Sequence, residues 1–391
     1  MTNMIANSIG VASLKHLPPL SLYIHIPWCI KKCPYCDFNS HSFKKSFPEK
    51  EYIKALLEDL QTDLHYVQGR TLQSIFIGGG TPSLFSPESI SNLLSSINSF
   101  IPFIENIEVT LEANPGTFEQ SKFSEFRDGG INRLSIGIQS FQSDFLKKLG
   151  RVHSDQEALL APEIALQAGF DNFNIDLMFG LAEQTSEQAI ADLKQAIKFN
   201  PSHISWYQLT IEPNTIFYSK PPILPATSLI ESMHEEGIVL LESEGFGRYE
   251  ISAFCKVGKL AQHNINYWQF GDYLGIGAGA HGKISLLGKN KIMRTRKSRQ
   301  PQTYLYPHKD YLVDIAPIPE QDLVVEFMMN ALRLSDGVTE KLLYERTGIQ
   351  PKYVASVLKE LRNEGLLKSN NLATTTRGYN LLNTVLQAFM T

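Results

Sequence analysis

The chain has 391 residues, 43% hydrophobic and 19% charged, a globular balance that can fill a substantial core and leaves room for more than one domain or for one barrel with an appendage. Its formal net charge of −4 gives no global basic field, so nucleic acid is not the expected partner. Three of its four cysteines fall within eight positions, whereas a disulfide framework spreads cysteines along a short secreted chain, so a metal centre in a reducing compartment is expected. The first 20 residues show no basic start followed by an apolar stretch, and no run approaches the roughly 18 apolar residues of a membrane span. The cytoplasm is the expected location.

From residue 22 to about 209 a short apolar run, a turn and an amphipathic stretch repeat. The predicted strands are 22–26, 74–78, 107–113, 133–139, 173–180 and 204–210. Helical spacing of apolar residues covers 52–67, 87–100, 157–169 and 187–199. Six strands alternating with helices imply parallel pairing through right-handed crossovers. Polar residues cluster at the strand ends, where barrel active sites lie. A partial or full β/α barrel is expected, with a doubly wound open sheet as the alternative.

Beyond residue 212 the rhythm breaks. A helix is predicted over 228–246 and a strand over 248–254, followed by the Gly-rich 275–282 and a basic loop holding Lys289, Lys291, Arg294, Arg296, Lys297 and Arg299. From about Ile318 the pattern is helical: three helices, a small polar hairpin and a final helix through Leu382, as in a winged-helix module. Its middle helix carries mixed charge and no basic stripe, which favours packing over DNA binding. The expected division is an extension over 1–21, a barrel over 22–212, a further segment over 213–317 and a winged-helix-like domain over 318–391.

The stretch from Tyr23 to Cys36 is the most informative. Cys29, Cys33 and Cys36 place three soft thiolates in one loop, which suits an iron–sulfur cube with one iron left open. Spacing alone leaves a tetrahedral zinc site as the alternative, with His25 or His41 as fourth ligand. The glycines at 78–80 follow the second strand, where bare backbone N–H groups can approach a carboxylate. Glu112, Gln139, Arg151 and Asp176 stand at or just beyond later strand ends. Glu112 and Asp176 can bond an amine or ribose hydroxyls, and Arg151 can clamp a carboxylate through two parallel bonds.

The CxxxCxYC pattern after a first strand resembles the radical S-adenosylmethionine superfamily. That resemblance implies a 4Fe–4S cluster on Cys29, Cys33 and Cys36 and S-adenosylmethionine on the open iron, within a partial (β/α)6 TIM-like barrel. The order and spacing of the motifs, over nearly the whole chain from Tyr23, resemble the oxygen-independent coproporphyrinogen III oxidase family. By position Tyr23, Gly79, Gly80, Thr81, Glu112, Gln139, Arg151 and Asp176 match its S-adenosylmethionine residues, with Tyr23 expected beside cluster and cofactor.

Two departures separate the chain from the oxidase: Phe38 stands where that enzyme has a further cysteine, and only 22 residues precede Tyr23. The CDFNSH wording and the HNxxYW signature at 263–268 resemble the HemW branch, whose members are regarded as haem chaperones. That likeness makes His263, ahead of Tyr267, a candidate haem ligand, and Trp268 a flat apolar face for a porphyrin. The commoner role for such a histidine is a satisfied core residue. His281 is either structural or part of the same cavity, the basic loop either meets haem propionates or is a solvated loop, and Cys255 is expected to be an inert buried thiol. The implied function is to bind haem as cargo and deliver it to acceptor haemoproteins such as respiratory enzymes, with an electron donor for the cluster and without authentic oxidase activity. A peripheral membrane contact is left open. The rival readings are oxidative decarboxylation of coproporphyrinogen III and a radical enzyme that modifies RNA.

Overall fold

A computed structural model describes residues 14–43, 46–306 and 310–390, so most of the 1–21 extension lies outside the described residues. Six strands follow one another: β1 (Leu20–Ile26), β2 (Leu72–Gly79), β3 (Phe103–Ala113), β4 (Arg133–Gln139), β5 (Phe173–Phe179) and β6 (His203–Gln208). After them come β7 (Gly247–Arg248), β8 (Ala253–Cys255), β9 (Asp272–Ile276), β10 (His281–Leu286), β11 (Lys291–Lys297) and β12 (Leu312–Pro317). Strands β1 to β6 lie side by side in chain order, each parallel to the next. A doubly wound sheet reverses its strand order at a switch point; this run has no reversal, and right-handed crossovers then put the connecting helices on one face, as in a partial barrel. Strand β9 adds a further parallel neighbour on the free side of β1, and β10, β11 and β12 continue antiparallel from it.

The barrel strands alternate in character. Val109 and Leu111, Leu134 and Ile136, Ile175 and Leu177, and Ile204 and Trp206 are buried in the main core. The intervening positions, among them Glu112, Ser135, Gly137, Asp176 and Ser205, line a cavity. Period two separates the faces, so the helices cover an apolar surface while the inner wall is polar.

The connecting helices are α1 (Glu49–Asp63), α2 (Pro87–Phe100), α3 (Asp155–Gln167), α4 (Ser186–Lys198) and α5 (Thr227–Ser243). Ser154 with Glu157 and Thr185 with Gln188 form capping boxes that satisfy the first N–H groups of α3 and α4. Gly237 of α5 rests on Trp206, where a Cβ would come within 1.9 Å of the indole. Helix α6 (Gln262–Trp268) packs against β1, β2 and β9.

A second core gathers around α7 (Leu323–Ala331), α8 (Glu340–Thr347) and α9 (Ala355–Asn363). It takes in Phe270 and Ile292 from the sheet side. Isolated antiparallel bridges join Val338 to Leu372 and Leu367 to Thr374. Among the described residues no helix is long and apolar enough to cross a membrane.

Three sequence expectations change. The basic loop is largely strand β11, held between β10 and β12. Its charges misled because their partners are remote: Lys297 is fully buried, with Nζ bonded to Asp59 (2.5 Å) and Asp63 (2.7 Å) of α1, and Arg294 pairs with Glu326 of α7. The strand over 248–254 is a hairpin, β7 and β8, interrupted where the Glu250 carboxylate accepts from Ser252 N–H (3.0 Å) and Oγ–H (3.1 Å). The final helix is two short ones, Thr376–Asn380 and Leu382–Gln387, separated at Leu381.

The two carboxylates hold the Lys297 ammonium above its ordinary value although burial opposes them. Removing one side of a buried ion pair strands the other, at about 3–5 kcal/mol. Lys297→Met should therefore lose stability of that order in chemical denaturation.

Candidate functional site

A cavity of about 500 Å³ opens at the C-terminal ends of the barrel strands, and the loop after β1 forms one wall of it. Cys29 is buried and Cys33 and Cys36 are half-buried in that wall. Cys36 N–H closes a turn onto Cys33 O (3.2 Å), so both sulfurs are set by one tight loop. Ser40 Oγ lies 3.8 Å from Cys36 Sγ, and Arg151 Nη1 points at Cys33 Sγ from 3.7 Å. Burial raises the Cys29 and Cys36 thiols, so ligation there must release protons.

The donor set fits a cube better than zinc. Among the described residues no three His, Cys, Asp or Glu side chains converge as a single ion requires. His25 is already used: its Nε2–H donates to Asn39 O (2.9 Å), which leaves Nδ1 to accept from Tyr23 O–H (2.9 Å). Burial lowers His25 to about 4, so the ring is neutral. His41 Nε2 lies 3.3 Å from Asn39 Oδ1.

The glycine loop after β2 is pinned to this wall. Gly80 N–H donates to Ile26 O and Thr81 N–H to Trp28 O, each at 2.7 Å. A Cβ at Gly80 would come within 2.3 Å of Trp28 O, and Gly79 has φ +115° against the His25 ring. Glu112 Oε2 accepts from Gly79 N–H (2.9 Å), and burial raises this carboxyl to about 7. Asn114 links two motif residues: its Nδ2 donates to Thr81 Oγ1 (3.0 Å) and its Oδ1 accepts from Arg151 Nη2 (2.6 Å). Arg151 Nη2 also meets Gly137 O (2.7 Å), while its buried Nε has no partner among the described residues. Gln139 takes φ +70° at the end of β4 and accepts from Tyr207 O–H (2.7 Å). Asp176 accepts from Asn174 Nδ2 (2.8 Å) and Ser135 Oγ (3.0 Å), and burial raises it as well.

The predicted residues Gly79, Gly80, Thr81, Glu112, Gln139, Arg151 and Asp176 thus share one cavity with the three cysteines. Tyr23 stands behind its wall, with its ring 6.3 Å from Phe76. Together these groups offer an acidic pair for the ammonium and hydroxyl groups of S-adenosylmethionine and a guanidinium for its carboxylate, whereas the Gly79, Gly80 and Thr81 N–H groups are already bonded to Glu112, Ile26 and Trp28.

Helix α6 borders the same cavity with Asn264 and Trp268. His263 lies behind it, 2% exposed, with Nδ1 on Ser74 Oγ and Nε2 on Tyr267 Oη, both at 3.0 Å. Burial lowers it to about 3. Glu108 accepts from the N–H groups of Gln262 (3.0 Å) and His263 (3.1 Å), fixing where the helix starts. Of the three candidate haem residues, Trp268 faces the cavity. His263 and Tyr267 bond each other inside the wall, so iron ligation by His263 requires giving up one of its two bonds. His281 is exposed at the start of β10 and does not line the cavity. Cys255 is buried in β8, where burial pushes its thiol up to about 11.

Sequence reasoning passed over Asn114, Tyr207, Glu250 and Arg333, all of which line the cavity. Asn114 carried a signal, since it lies two residues beyond Glu112. Arg333 carried none, because it enters from the C-terminal region.

The Radical SAM superfamily model matches residues 23–196, and the HemN C-terminal domain model matches 318–379. The Heme chaperone HemW of Escherichia coli is 46% identical over 376 residues, covering 96% of this chain and 99% of that protein. The Heme chaperone HemW of Haemophilus influenzae is 48% identical over 381 residues, covering 96% and 99%. The solved structure of Escherichia coli coproporphyrinogen III oxidase (HemN), a radical SAM enzyme, superposes with a TM-score of 0.80 over 99% of this chain and 92% of that one; at 23% identity the likeness speaks to the fold.

Two outcomes follow from the geometry. Serine at Cys29, Cys33 and Cys36 together should abolish iron uptake on anaerobic reconstitution, read by iron and sulfide analysis. Glu112 binds a cation only when ionised. With its carboxyl raised to about 7, S-adenosylmethionine affinity should be full above that pH and fall below it, approaching tenfold per unit. Equilibrium dialysis across pH should show this slope in the wild type and lose it in Glu112→Gln.

Proposed function

The chain belongs to the HemW haem chaperone family within the radical S-adenosylmethionine superfamily, and from that premise we propose that it binds haem in the barrel cavity and passes it to acceptor haemoproteins. Its cofactors are a 4Fe–4S cluster and S-adenosylmethionine. When bound, a cluster held by Cys29, Cys33 and Cys36 would supply one-electron chemistry to S-adenosylmethionine held beside it.

The supporting observation is the cavity itself, which has three thiols at one wall and the Trp268 indole at another. In this reading Cys29, Cys33 and Cys36 hold the cluster. Glu112 and the Gly79–Gly80 backbone take the ammonium end of S-adenosylmethionine, Arg151 its carboxylate and Asp176 a ribose hydroxyl. Trp268 offers the macrocycle a flat face, and His263 and Tyr267 hold that face in position. Ile30, Phe38 and Val152, each about half exposed, make an apolar rim through which a planar hydrophobic ligand can enter and leave. Phe38, 56% exposed, replaces with a hydrocarbon ring the extra cysteine of the oxidase resemblance. Delivery requires an acceptor haemoprotein, and reduction of the cluster requires an electron donor.

Anaerobically reconstituted protein should bind haem in a spectroscopic titration and lose it to an apo-haemoprotein. It should leave coproporphyrinogen III unchanged in the presence of reductant and S-adenosylmethionine. No haem spectrum together with protoporphyrinogen formation would reverse the assignment in favour of the oxidase. His263→Ala should weaken haem binding while leaving the position of the bound haem's main absorption band unchanged; a shifted band would make His263 an iron ligand.

A further inference from the structure

We propose that Arg333, supplied by the C-terminal helical region, is a second carboxylate-binding residue of the barrel cavity, beside Arg151, and takes a propionate of the tetrapyrrole. The assignment rests on the haem reading above and adds to it the group that orients the ligand.

Arg333 follows α7 and lines the cavity beside Trp268, Asn264 and Glu250. Its guanidinium carbon lies 4.3 Å from the centroid of the Trp268 ring, a cation–π contact that fixes the plane of the fork. One terminal nitrogen, Nη2, donates to Glu250 Oε2 at 3.1 Å. Buried at the same place are two donors with no hydrogen-bond partner among the described residues, Arg333 Nε and Trp268 Nε1. Buried donors are almost always satisfied. These two donors stand on adjacent side chains that both line the cavity, where an acceptor on a ligand could reach them.

Charge and shape narrow that acceptor to a carboxylate. A guanidinium matches a carboxylate through parallel N–H···O bonds, and Glu250 occupies one terminal nitrogen, which leaves Nε–H without a partner among the described residues. The indole N–H adds a third donor beside the face on which a porphyrin would lie. Glu250 cannot fill the gap. Its Oε1 already accepts from Ser252 N–H and Oγ–H, and the carboxylate is 3% exposed in the bend between β7 and β8. It tethers the arginine in the absence of ligand. Arg151, the other half-buried arginine of the cavity, is committed through Nη2 to Asn114 and Gly137 and points toward Cys33. The carboxylate of S-adenosylmethionine and that of the cargo therefore have separate arginines.

The test compares haem with haem dimethyl ester, which keeps the macrocycle and iron but carries no carboxylate. Both are titrated into reconstituted full-length protein and followed by absorption. Wild type should prefer haem by roughly ten- to hundredfold, the range of a charge-assisted hydrogen bond. Arg333→Gln should bring haem down to the level of the ester and leave ester affinity unchanged. Arg333→Lys, which keeps the charge without the fork, should fall between them, and Glu250→Gln should retain the preference for haem. Equal loss of haem and ester binding in Arg333→Gln, or no change in either, overturns the assignment. So does a wild type that binds the two alike, which leaves the haem reading intact. A wild type that binds neither ligand removes the haem reading and this inference together.

Discussion

Parallel pairing of neighbouring strands in unbroken chain order is the constraint on which the rest of the molecule depends. It brings the C-terminal ends of β1 to β6 to one rim, so each strand delivers its last residues to a shared space. The cysteine loop leaves β1 there, the glycine loop leaves β2, and Glu112, Gln139, Asp176 and Tyr207 arrive on the following strands. Register then sets their height. Glu112 stands opposite Ser135, and Gly137 opposite Asp176, which in turn faces Ser205. An alternating strand serves both demands, with apolar residues beneath the helices and polar ones toward the cavity.

The part of the sheet beyond β1 supports the cysteine loop. Strand β9 runs into the loop of Gly277, Ala278 and Gly279, which passes so close to the cysteine loop that a Cβ at Gly277 or Gly279 would lie 2.3 Å from His25 O or Asn39 Nδ2. Asn39 Nδ2 donates to Ala278 O and Arg299 O, each at 2.8 Å, and its carbonyl holds His25. Tyr52 of α1 donates to His25 O and accepts from Ala278 N–H, each at 2.8 Å. The buried Lys297 then ties β11 to α1 through Asp59 and Asp63. A chain of short bonds thus runs from the added strands to the residues flanking the cluster ligands. This is why the basic segment is rigid strand and not a solvated loop.

The HNxxYW helix is a clasp whose residues divide by face. His263 and Asn266 point into the barrel wall: His263 reaches Ser74, Ser74 Oγ lies 2.8 Å from Ser21 Oγ, and Asn266 Nδ2 returns to Ser21 at 2.9 Å. Asn264 and Trp268, four residues apart and so on one side of the helix, face the cavity. A neutral, doubly bonded histidine anchors the helix that carries Trp268. The C-terminal region adds Arg333 to the same wall, and Trp268, which lines the cavity, also packs against the second core.

Much of this was legible in the residues themselves. The succession of short apolar runs and amphipathic stretches from 22 to about 209 announced parallel strands joined by helices, because each period is set within its own segment. The cysteine spacing, Gly78–Gly80 and the polar strand ends announced the chemistry, because each acts within a few residues of its own strand. Contacts between distant segments were not legible. Lys297 read as part of a loop that either meets propionates or is solvated, whereas Asp59 and Asp63 pair with it from 238 and 234 residues away. His263 read as either a haem ligand or a satisfied core residue, and its bonds to Ser74 and Tyr267 belong to segments the local pattern does not join. Arg333 gave no sign at all, since what makes it notable is an indole and a carboxylate reached only when the chain folds back. Local pattern determines which faces exist and what chemistry they carry; tertiary structure alone decides which charges are satisfied and which are left facing the cavity, because burial and pairing are properties of the assembled neighbours.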